Sequence, residues 1–543
     1  MAQPTAVPSL SFDTQRQPSS PSSGSAGQKK RCQSVYVSAG DASLTIGLKS
    51  YLQPFEYQLA ELEFEGLGLS NWNDNWAKFV ERANRLSYFD VVSFQFDVAL
   101  QPCAVALTEV LRESAASWRP DVASKMANRR VLRFGPHGFH EYRGKFFPQL
   151  VRSLCNASAL RPGNIVLDPM CGSGTTLVEA RALDLAAYGI DRNPLSRLIA
   201  HVKTDAIGWS GPALARAHKA LDNLQTDSVR EFPWPQEDVE YLRRWFHLSA
   251  LRDVAGLLKA VRAIDDPAVR EFGLLCLSNI VRRVSIQKED ELRVRKIQKP
   301  YSSGDAQRLF RSEVLRNLEP MERLLHVDGG HEEQYHVRTG DAKQIELIFP
   351  SLKGRVDAII TSPPYATALP YIDTDRLSLV ILGLLGREQH RIIEAEMIGT
   401  REISEKDRQA IWQRYVAERN QLPKSILQVI DRLASNYHDG TVGFRRRNLP
   451  ALLARYFLEM RQVMSSMYAS LRPHGRAFVV VGTNSTTVHG KRFNIDTDLM
   501  LTDIARDVGF EAEAPINMEL LPSRDPFKLN RGTREQILRL AKA

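Results

Sequence analysis

Two short segments, far apart in the sequence, contain residue types that could bind a ligand and do chemistry. They are residues 168–176, with the sequence DPMCGSGTT, and residues 361–365, with the sequence TSPPY. The glycines of the first segment can adopt positive φ angles without steric cost, so they predict a tight turn whose backbone approaches a ligand closely. The prolines of the second segment fix φ and remove two backbone donors, which leaves a row of carbonyl acceptors.

Each segment directly follows an apolar run that predicts a β-strand. Residues 164–167 precede the glycine-rich segment, with a helix expected from Thr176, and residues 356–360 precede the proline pair. Two further strand-like runs lead to the carboxylates of Asp191 and Asp341. In a parallel sheet the carboxyl ends of the strands meet at one edge, where ligands bind. The sequence therefore predicts that these side chains share one site.

Strand-like and helix-like stretches alternate around both segments, which predicts an α/β fold with a doubly wound parallel sheet. We assign residues 131–205, 331–386 and 471–543 to this catalytic domain. Helical inserts are predicted at residues 206–330 and 387–470, the first a candidate for target recognition. Residues 1–35 are rich in Ser, Pro, Gln and Gly, which predicts a disordered tail. Residues 36–130 form an N-terminal accessory region whose function the sequence does not indicate.

Composition narrows the class of protein. The 543 residues are 43% hydrophobic and 25% charged, which is ordinary for a globular protein. A net charge of +9 favours a polyanionic partner over an acidic small molecule. The five cysteines are scattered without a C-x-x-C spacing, which argues against a disulfide framework and against a zinc or other metal site. The longest uncharged apolar run, residues 377–386, is too short for a membrane helix, so we expect a cytoplasmic protein.

A third motif precedes the glycine-rich segment, and the three together resemble a known family. Residues 140–150, HEYRGKFFPQL, are similar to the H-x-Y-x-x-K-F-x-P pattern of DNA amino-methyltransferases. With the DPMCGSGT turn and the TSPPY loop, the chain resembles the S-adenosylmethionine-dependent enzymes of this family that carry a Ser-Pro-Pro-Tyr loop. Residues 397–399 fit the same group. The resemblance covers roughly residues 130–541 apart from the inserts, and it implies the Rossmann-like class I methyltransferase fold.

The resemblance implies a set of residues that bind S-adenosylmethionine. Asp168 would hydrogen-bond the ammonium of the methionine part, Asp191 both ribose hydroxyls, and Asp341 the adenine amino group. Lys145 would neutralise the carboxylate and Phe146 would wall the pocket. The remaining cofactor-binding residues are His140, Met170, Cys171, Gly172, Gly174 and Thr175. We do not assign Cys171 as a nucleophile, because it lies inside the cofactor turn.

The resemblance also gives the catalytic loop a role. An exocyclic amine that attacks a methyl carbon sheds positive charge, and acceptors for its protons favour this. The Ser362 hydroxyl or carbonyl and the Pro363 carbonyl would be these acceptors, in a loop stiffened by Pro364. Tyr365 would stack on the base, which must be flipped out of a duplex to reach the pocket.

The base and the nucleic acid remain open between alternatives. A Ser-Pro-Pro-Tyr loop is more typical of cytosine-N4 enzymes, so we favour cytosine over adenine N6. The order of the motifs, with the glycine turn first, also occurs in adenine-N6 enzymes and in RNA guanine-N2 methyltransferases. An RNA substrate is therefore the main alternative to duplex DNA, and a non-catalytic nucleic-acid-binding module is a third. If duplex DNA is the substrate, a restriction or defence-system partner is possible under this hypothesis.

Overall fold

The computed structural model describes most of the chain. The described residues are 34–39, 42–49, 52–69, 81–96, 99–104, 133–142, 144, 146–222, 224–226, 229–288, 295–327, 334–366, 371–401, 403–437, 443–488, 491–518 and 535–543. Residues 1–33 of the predicted tail and the site residue Lys145 lie outside them. The chain divides into one compact unit of Met1–Phe134 with Phe147–Arg161, and a second of Gly135–Phe146 with Pro162–Ala543.

Among its described residues, the first unit contains an antiparallel sheet and the helices Pro54–Gly66 (α1) and Pro148–Ala157 (α2). Its strands, in the order β1-β2-β3-β4, are Ser34–Ala39 (β1), Ala42–Leu48 (β2), Phe89–Phe96 (β3) and Ala99–Ala104 (β4). Helix α1 packs so closely on α2 that a Cβ at Gly66 would lie 2.2 Å from the Asn156 carbonyl oxygen. Sequence analysis assigned α2 to the catalytic segment 131–205, whereas the structure groups it with the accessory region.

The second unit is built on a large sheet. Its strands are Ile165–Asp168 (β5), Ala186–Asp191 (β6), Tyr335–Thr339 (β7), Val356–Thr361 (β8), Leu471–Gly482 (β9), Glu511–Ala512 (β12), Ile516–Met518 (β13) and Glu535–Ala541 (β14). The strands Asn484–Val488 (β10) and Lys491–Ile495 (β11) form a separate hairpin. The order in the large sheet is β12-β14-β9-β8-β5-β6-β7, and β13 also pairs with β14. Strands β5 to β9 run parallel, and β14 is antiparallel to β9. The chain moves outward from β5 first in one direction and then in the other, so a switch point lies between β5 and β8.

Both faces of this sheet are buried. Leu167, Ile359 and Val479 belong to one hydrophobic core cluster on one face. Their neighbours along the strands, such as Ile360 and Phe478, are also buried but lie outside that cluster. Because successive side chains of a strand point to opposite faces, each face has its own core. This arrangement confirms the predicted doubly wound α/β class.

Helices cover the sheet and form the inserts. They are Thr175–Arg181 (α3), Pro194–Ala206 (α4), Gly211–Asp222 (α5), Gln236–Leu242 (α6), Leu248–Arg262 (α7), Pro267–Val284 (α8), Asp305–Val327 (α9), Ile345–Ile348 (α10), Tyr371–Ile381 (α11), Gln389–Glu396 (α12), Glu405–Glu418 (α13), Lys424–Asn436 (α14), Phe444–Ser470 (α15) and Thr497–Val508 (α16). Helices α5 to α9 make up the insert predicted at residues 206–330. A bilayer-spanning helix is not found among the described residues.

The last helix of the second insert has a different role from the one the sequence suggested. We assigned residues 387–470 to an insert, but α15 is the last helix of the connection from β8 to β9 and leads directly into β9. Its Tyr456, Met460 and Met464 are fully buried in the core cluster. Parallel neighbouring strands need a long crossover connection, and α15 supplies its last part. Its basic first turn, Phe444-Arg445-Arg446-Arg447, made it resemble a solvated segment.

Candidate cofactor and catalytic site

The glycine turn after β5 is fixed by backbone hydrogen bonds and by close packing. The Cys171 amide donates to the Ile190 carbonyl at 2.9 Å, and the Gly174 amide donates to the Cys171 carbonyl at 2.7 Å. Gly172 and Gly174 both have positive φ, at 49° and 75°. A Cβ at Gly174 would lie 2.7 Å from Cα of Ala200 on α4. The turn therefore needs glycine both for its conformation and for its distance from α4.

A carboxylate from the next strand holds this turn. At the end of β6, Asp191 accepts hydrogen bonds from the Gly172 amide at 2.9 Å and from the Asn193 amide at 2.8 Å. Burial raises the pKa of Asp191 to about 6, although these backbone donors oppose the shift. The Arg192 backbone is a third donor to this carboxylate. A carboxylate has about four lone-pair sites, so three backbone donors leave capacity for a further one. Asp191 can therefore accept a hydroxyl donor from a ligand while it holds the turn.

A cavity lies at the carboxyl ends of β5, β6 and β7. Its volume is about 60 Å³, and it is lined by Met170, Asp191, residues 340–342, Pro364 and residues 396–398, together with Pro169 and Arg192. An adjoining cavity of about 530 Å³ shares Arg192, Asp341 and Glu396. Arg192 and Glu396 form an ion pair between the two spaces. Sequence reasoning found the strand ends but missed Arg192 and Glu396, whose residue types carry no motif.

Asp341 lies at the far end of this space. It caps a short 3-10 helix, because its side chain accepts from the Lys343 amide at 3.0 Å, and the Lys343 ammonium lies 3.3 Å from its other oxygen. The Gly340 amide donates to the Asp191 carbonyl at 3.0 Å, which ties β7 to β6. Asp341 lines both cavities, so its carboxylate is available to a ligand there.

Asp168 is almost fully buried, although its predicted role is to contact the ammonium of a ligand. It is 1% exposed, and one carboxylate oxygen accepts both from the Met170 amide at 3.1 Å and from the Thr361 hydroxyl at 2.7 Å. Burial raises its pKa to about 6. The partner that the structure gives it is the end of β8, directly before the proline loop. Contact with the ammonium of a ligand stays a prediction for this residue.

The segment before the glycine turn contributes in part as predicted. The two ring nitrogens of His140 lie 2.8 Å from the Glu141 carbonyl and 3.1 Å from the Ser278 hydroxyl, so the imidazole contacts the first insert. Burial lowers its pKa to about 4. Phe146 is half-buried, and Lys145 lies outside the described residues. A direct role for these side chains at the cofactor stays a prediction.

Two residues without a predicted role support the turn. The ring of Tyr142 lies over Gly172, where a Cβ would be 3.1 Å from its Cε1, and its hydroxyl lies 2.9 Å from that of Ser196. Lys203 is fully buried, and its ammonium donates to the Ser173 carbonyl at 2.8 Å. Together with Ala200, these contacts place one face of α4 directly against the turn. A helix-spaced Ser, Ala and Lys gave no signal in the sequence.

One buried hydroxyl at the turn is a candidate contact for a ligand. Within the described residues, the buried hydroxyl oxygen of Thr175 has no hydrogen-bond partner. A buried polar atom without a partner is costly and indicates a ligand or water at that point. Cys171 is buried, and burial raises its thiol pKa well above the ordinary value, which does not suit a nucleophile.

The proline loop begins where β8 ends. Ser362 and Pro364 are half-buried, Pro363 is buried, and Tyr365 is 40% exposed. Thr361, at the start of the loop, bonds to Asp168 of the cofactor half. The side-chain amide of Asn193 donates to Asp375 of α11, the helix that follows the loop, at 2.9 Å. Pro364 lines the same cavity as Asp191. The two segments from which the sequence reasoning began are therefore parts of one site.

The order and direction of the strands define a doubly wound, Rossmann-like α/β fold. A family model described as an RMKL-like methyltransferase domain matches residues 140–223. The chain is 22% identical over 395 residues to the Type II methyltransferase M.MvaI of Kocuria varians, covering 68% of this chain and 80% of that protein. It is 24% identical over 440 residues to the Type II methyltransferase M.BsoBI of Geobacillus stearothermophilus, covering 72% and 80%. A shorter match, 38% identical over 50 residues, covers 9% of this chain and 15% of the tRNA (guanine(10)-N2)-dimethyltransferase of Methanothermobacter thermautotrophicus.

Proposed function

We propose that this protein transfers the methyl group of S-adenosylmethionine to an exocyclic amine of a DNA base, with cytosine N4 as the favoured acceptor. The observation that carries the proposal is the shared cavity. Pro364 of the acceptor loop and Asp191 at the cofactor turn line the same small cavity, so the acceptor loop borders the cofactor turn. Similarity to two Type II methyltransferases over more than two thirds of the chain supports DNA as the substrate.

The cofactor supplies an activated methyl group on a positively charged sulfur. Asp191 would accept the ribose hydroxyls and Asp341 the adenine amino group. With the cofactor bound, the amine lone pair of the base would form the new N–C bond as the C–S bond breaks, and the leaving electron pair would stay on sulfur. Acceptors at Ser362 and Pro363 would hold the amine protons and disperse the developing positive charge, and one proton would then pass to solvent. A strong base is not needed in this step.

The alternatives rest on narrower observations. Adenine N6 presents the same kind of amine to the same acceptors, so the site geometry suits both bases. An RNA base is supported by a relative that matches only 50 residues. The first insert remains our candidate for target recognition, although its Arg282 donates to the Thr374 carbonyl and its Arg283 lies 3.7 Å from Glu313. Phosphate contact there would fall to exposed residues such as Arg295 and Lys296.

Sequencing of genomic DNA with detection of modified bases tests the proposal. Cells that express the wild-type protein should gain a methylated amine in a fixed sequence context, and cells that express Ser362→Ala should not. In parallel, purified protein and labelled S-adenosylmethionine are incubated with duplex DNA and, separately, with structured RNA. Label in N4-methylcytosine of DNA supports the full proposal, and label in N6-methyladenine corrects the base. Label in RNA alone would overturn DNA as the substrate.

Cofactor affinity should depend on pH through Asp191. Its pKa of about 6 means that the carboxylate is charged above pH 6 and protonated below it. Hydroxyl donors bind the charged form better, so affinity should fall as pH decreases through 6. The unliganded fold follows the opposite trend: a raised pKa stabilises it at low pH, and this contribution is lost as pH rises through 6.

Calorimetry with S-adenosylhomocysteine at pH 5.5 and 7.5 measures this dependence. Asp191→Asn should bind weakly at both values and lose most of the pH dependence. Asp168→Asn is the comparison variant, because Asp168 also has a pKa raised to about 6. It removes that second carboxylate and should leave the pH dependence that arises from Asp191 in place. An unaltered pH dependence in Asp191→Asn would assign the effect to another group.

A further inference from the structure

The Tyr365 ring lies against the backbone of the neighbouring strand. A Cβ built on Gly482, the last residue of β9, would lie 3.0 Å from Cε1 and 3.2 Å from Cζ of the ring. Contacts this short are rare for a real Cβ. Any side chain at position 482 would therefore push the ring away from its place. Because Gly482 has no side chain, one edge of the Tyr365 ring can pack against its backbone.

The hydroxyl of the same ring is held by the strand on the other side. Tyr365 donates to Oε1 of Glu535 at 2.7 Å. Glu535 is the first residue of β14, and it is the direct cross-strand partner of Gly482 in the antiparallel pair of β9 with β14. Gly482 thus leaves space for the ring, and Glu535 supplies the acceptor for the ring hydroxyl. The ring is fixed at two points, although it belongs to a third segment.

Part of the ring stays open to solvent. Tyr365 is 40% exposed although its hydroxyl is bonded and its ring edge is packed. A stacking surface for a planar base requires an aromatic ring that is held in one orientation and still has an exposed face. The neighbouring Pro364 lines the cavity of the cofactor turn, so the surface borders the site of methyl transfer.

We propose that Gly482 and Glu535 are positioning residues that hold Tyr365 in advance as the stacking surface for the substrate base. This inference rests on the proposed function, and it assigns roles to two residues outside the motifs. A ring that is already ordered does not have to be immobilised when the base arrives, so less binding free energy is lost. Stacking on an aromatic side chain contributes to the binding of a base, and poor positioning of the ring should forfeit a large share of that contribution.

Steady-state kinetics on duplex DNA and a probe on the ring test the proposal together. Glu535→Ala and Gly482→Ala should lower kcat/KM for DNA by roughly tenfold, the size expected for the loss of part of one stacking contact. Glu535→Gln keeps an acceptor oxygen and should retain most activity. Glu511→Gln and Gly211→Ala are matched controls, because Glu511 is exposed and a Cβ at Gly211 would meet nothing within 4 Å. Affinity for S-adenosylhomocysteine should stay within error in all of them, which a general loss of folding would not allow.

The ring probe is 3-fluorotyrosine in place of tyrosine, observed by fluorine NMR and assigned with Tyr365→Phe. The Tyr365 resonance should shift in Glu535→Ala and in Gly482→Ala but not in the controls. A resonance that does not move, or wild-type kinetics in Glu535→Ala, overturns the proposal. Faster methylation in Glu535→Ala would also overturn it, because the contact would then restrain the ring. If the wild type methylates no nucleic acid, the proposed function fails, while the resonance still decides whether these residues position the ring.

Discussion

Gly174→Ala should abolish measurable binding of S-adenosylmethionine while the protein remains folded. Gly174 has a φ of 75°, where a side chain adds strain on the order of 1 kcal/mol. The larger effect is steric, because a Cβ would lie 2.7 Å from both Cα and Cβ of Ala200. The Cα belongs to the backbone of α4 and cannot rotate away. The turn must move instead, and Gly172, which bonds to Asp191, moves with it.

Isothermal calorimetry measures the binding, and thermal unfolding reports whether the fold persists. Gly172→Ala provides a graded comparison, because the atoms nearest to a Cβ there belong to the Tyr142 side chain, at 3.1 Å and beyond. We expect a measurable but weakened affinity in that variant. Gly443→Ala is the control, since nothing lies within 4 Å of its Cβ. Wild-type affinity in Gly174→Ala would show that the turn does not form the cofactor site.

The elements of the site could be predicted because their signals are local. The strands before Asp168, Asp191 and Thr361 are short apolar runs, and glycine and proline mark the turns that follow them. Rules for parallel sheets then place their ends at one edge. The Asp168 to Thr361 bond could not be read in this way. It depends on β5 and β8 being neighbours in one register, although almost two hundred positions separate them in the chain.

Dependence on contacts between distant segments also explains why some residues at the site were not predicted from the sequence. Lys203, Gly482 and Glu535 carry no motif, and each acts through a residue of a different segment. The sequence contains the His140 motif, but whether its ring faces a cofactor or the first insert depends on the packing of α8, which carries Ser278. The motifs thus indicate which residues could bind or react with a ligand. The residues that orient those side chains follow from tertiary contacts between distant segments.

The bond between Asp168 and Thr361 should couple the cofactor turn to the catalytic loop, and its loss should reduce catalysis more than cofactor binding. The contact is fully buried, and Thr361 directly precedes Ser362. A second bond, from the Thr176 hydroxyl to the Ile360 carbonyl at 3.3 Å, joins the same two segments. Thr361→Val keeps the shape of the side chain but leaves the Asp168 oxygen with one partner fewer.

Hydrogen bonds to charged groups contribute roughly 1.5–3 kcal/mol, so kcat in Thr361→Val should fall by roughly ten- to a hundredfold. Thr361→Ser, which restores the hydroxyl, should recover most of the rate. Affinity for S-adenosylhomocysteine should change much less, because Thr361 does not line the cavity. A double-mutant cycle with Asp168→Asn measures the coupling: if the two residues act through their bond, the combined loss will be smaller than the sum of the single losses. Additive losses would mean that each residue supports its own segment separately, and the two halves of the site would then be aligned by the sheet alone.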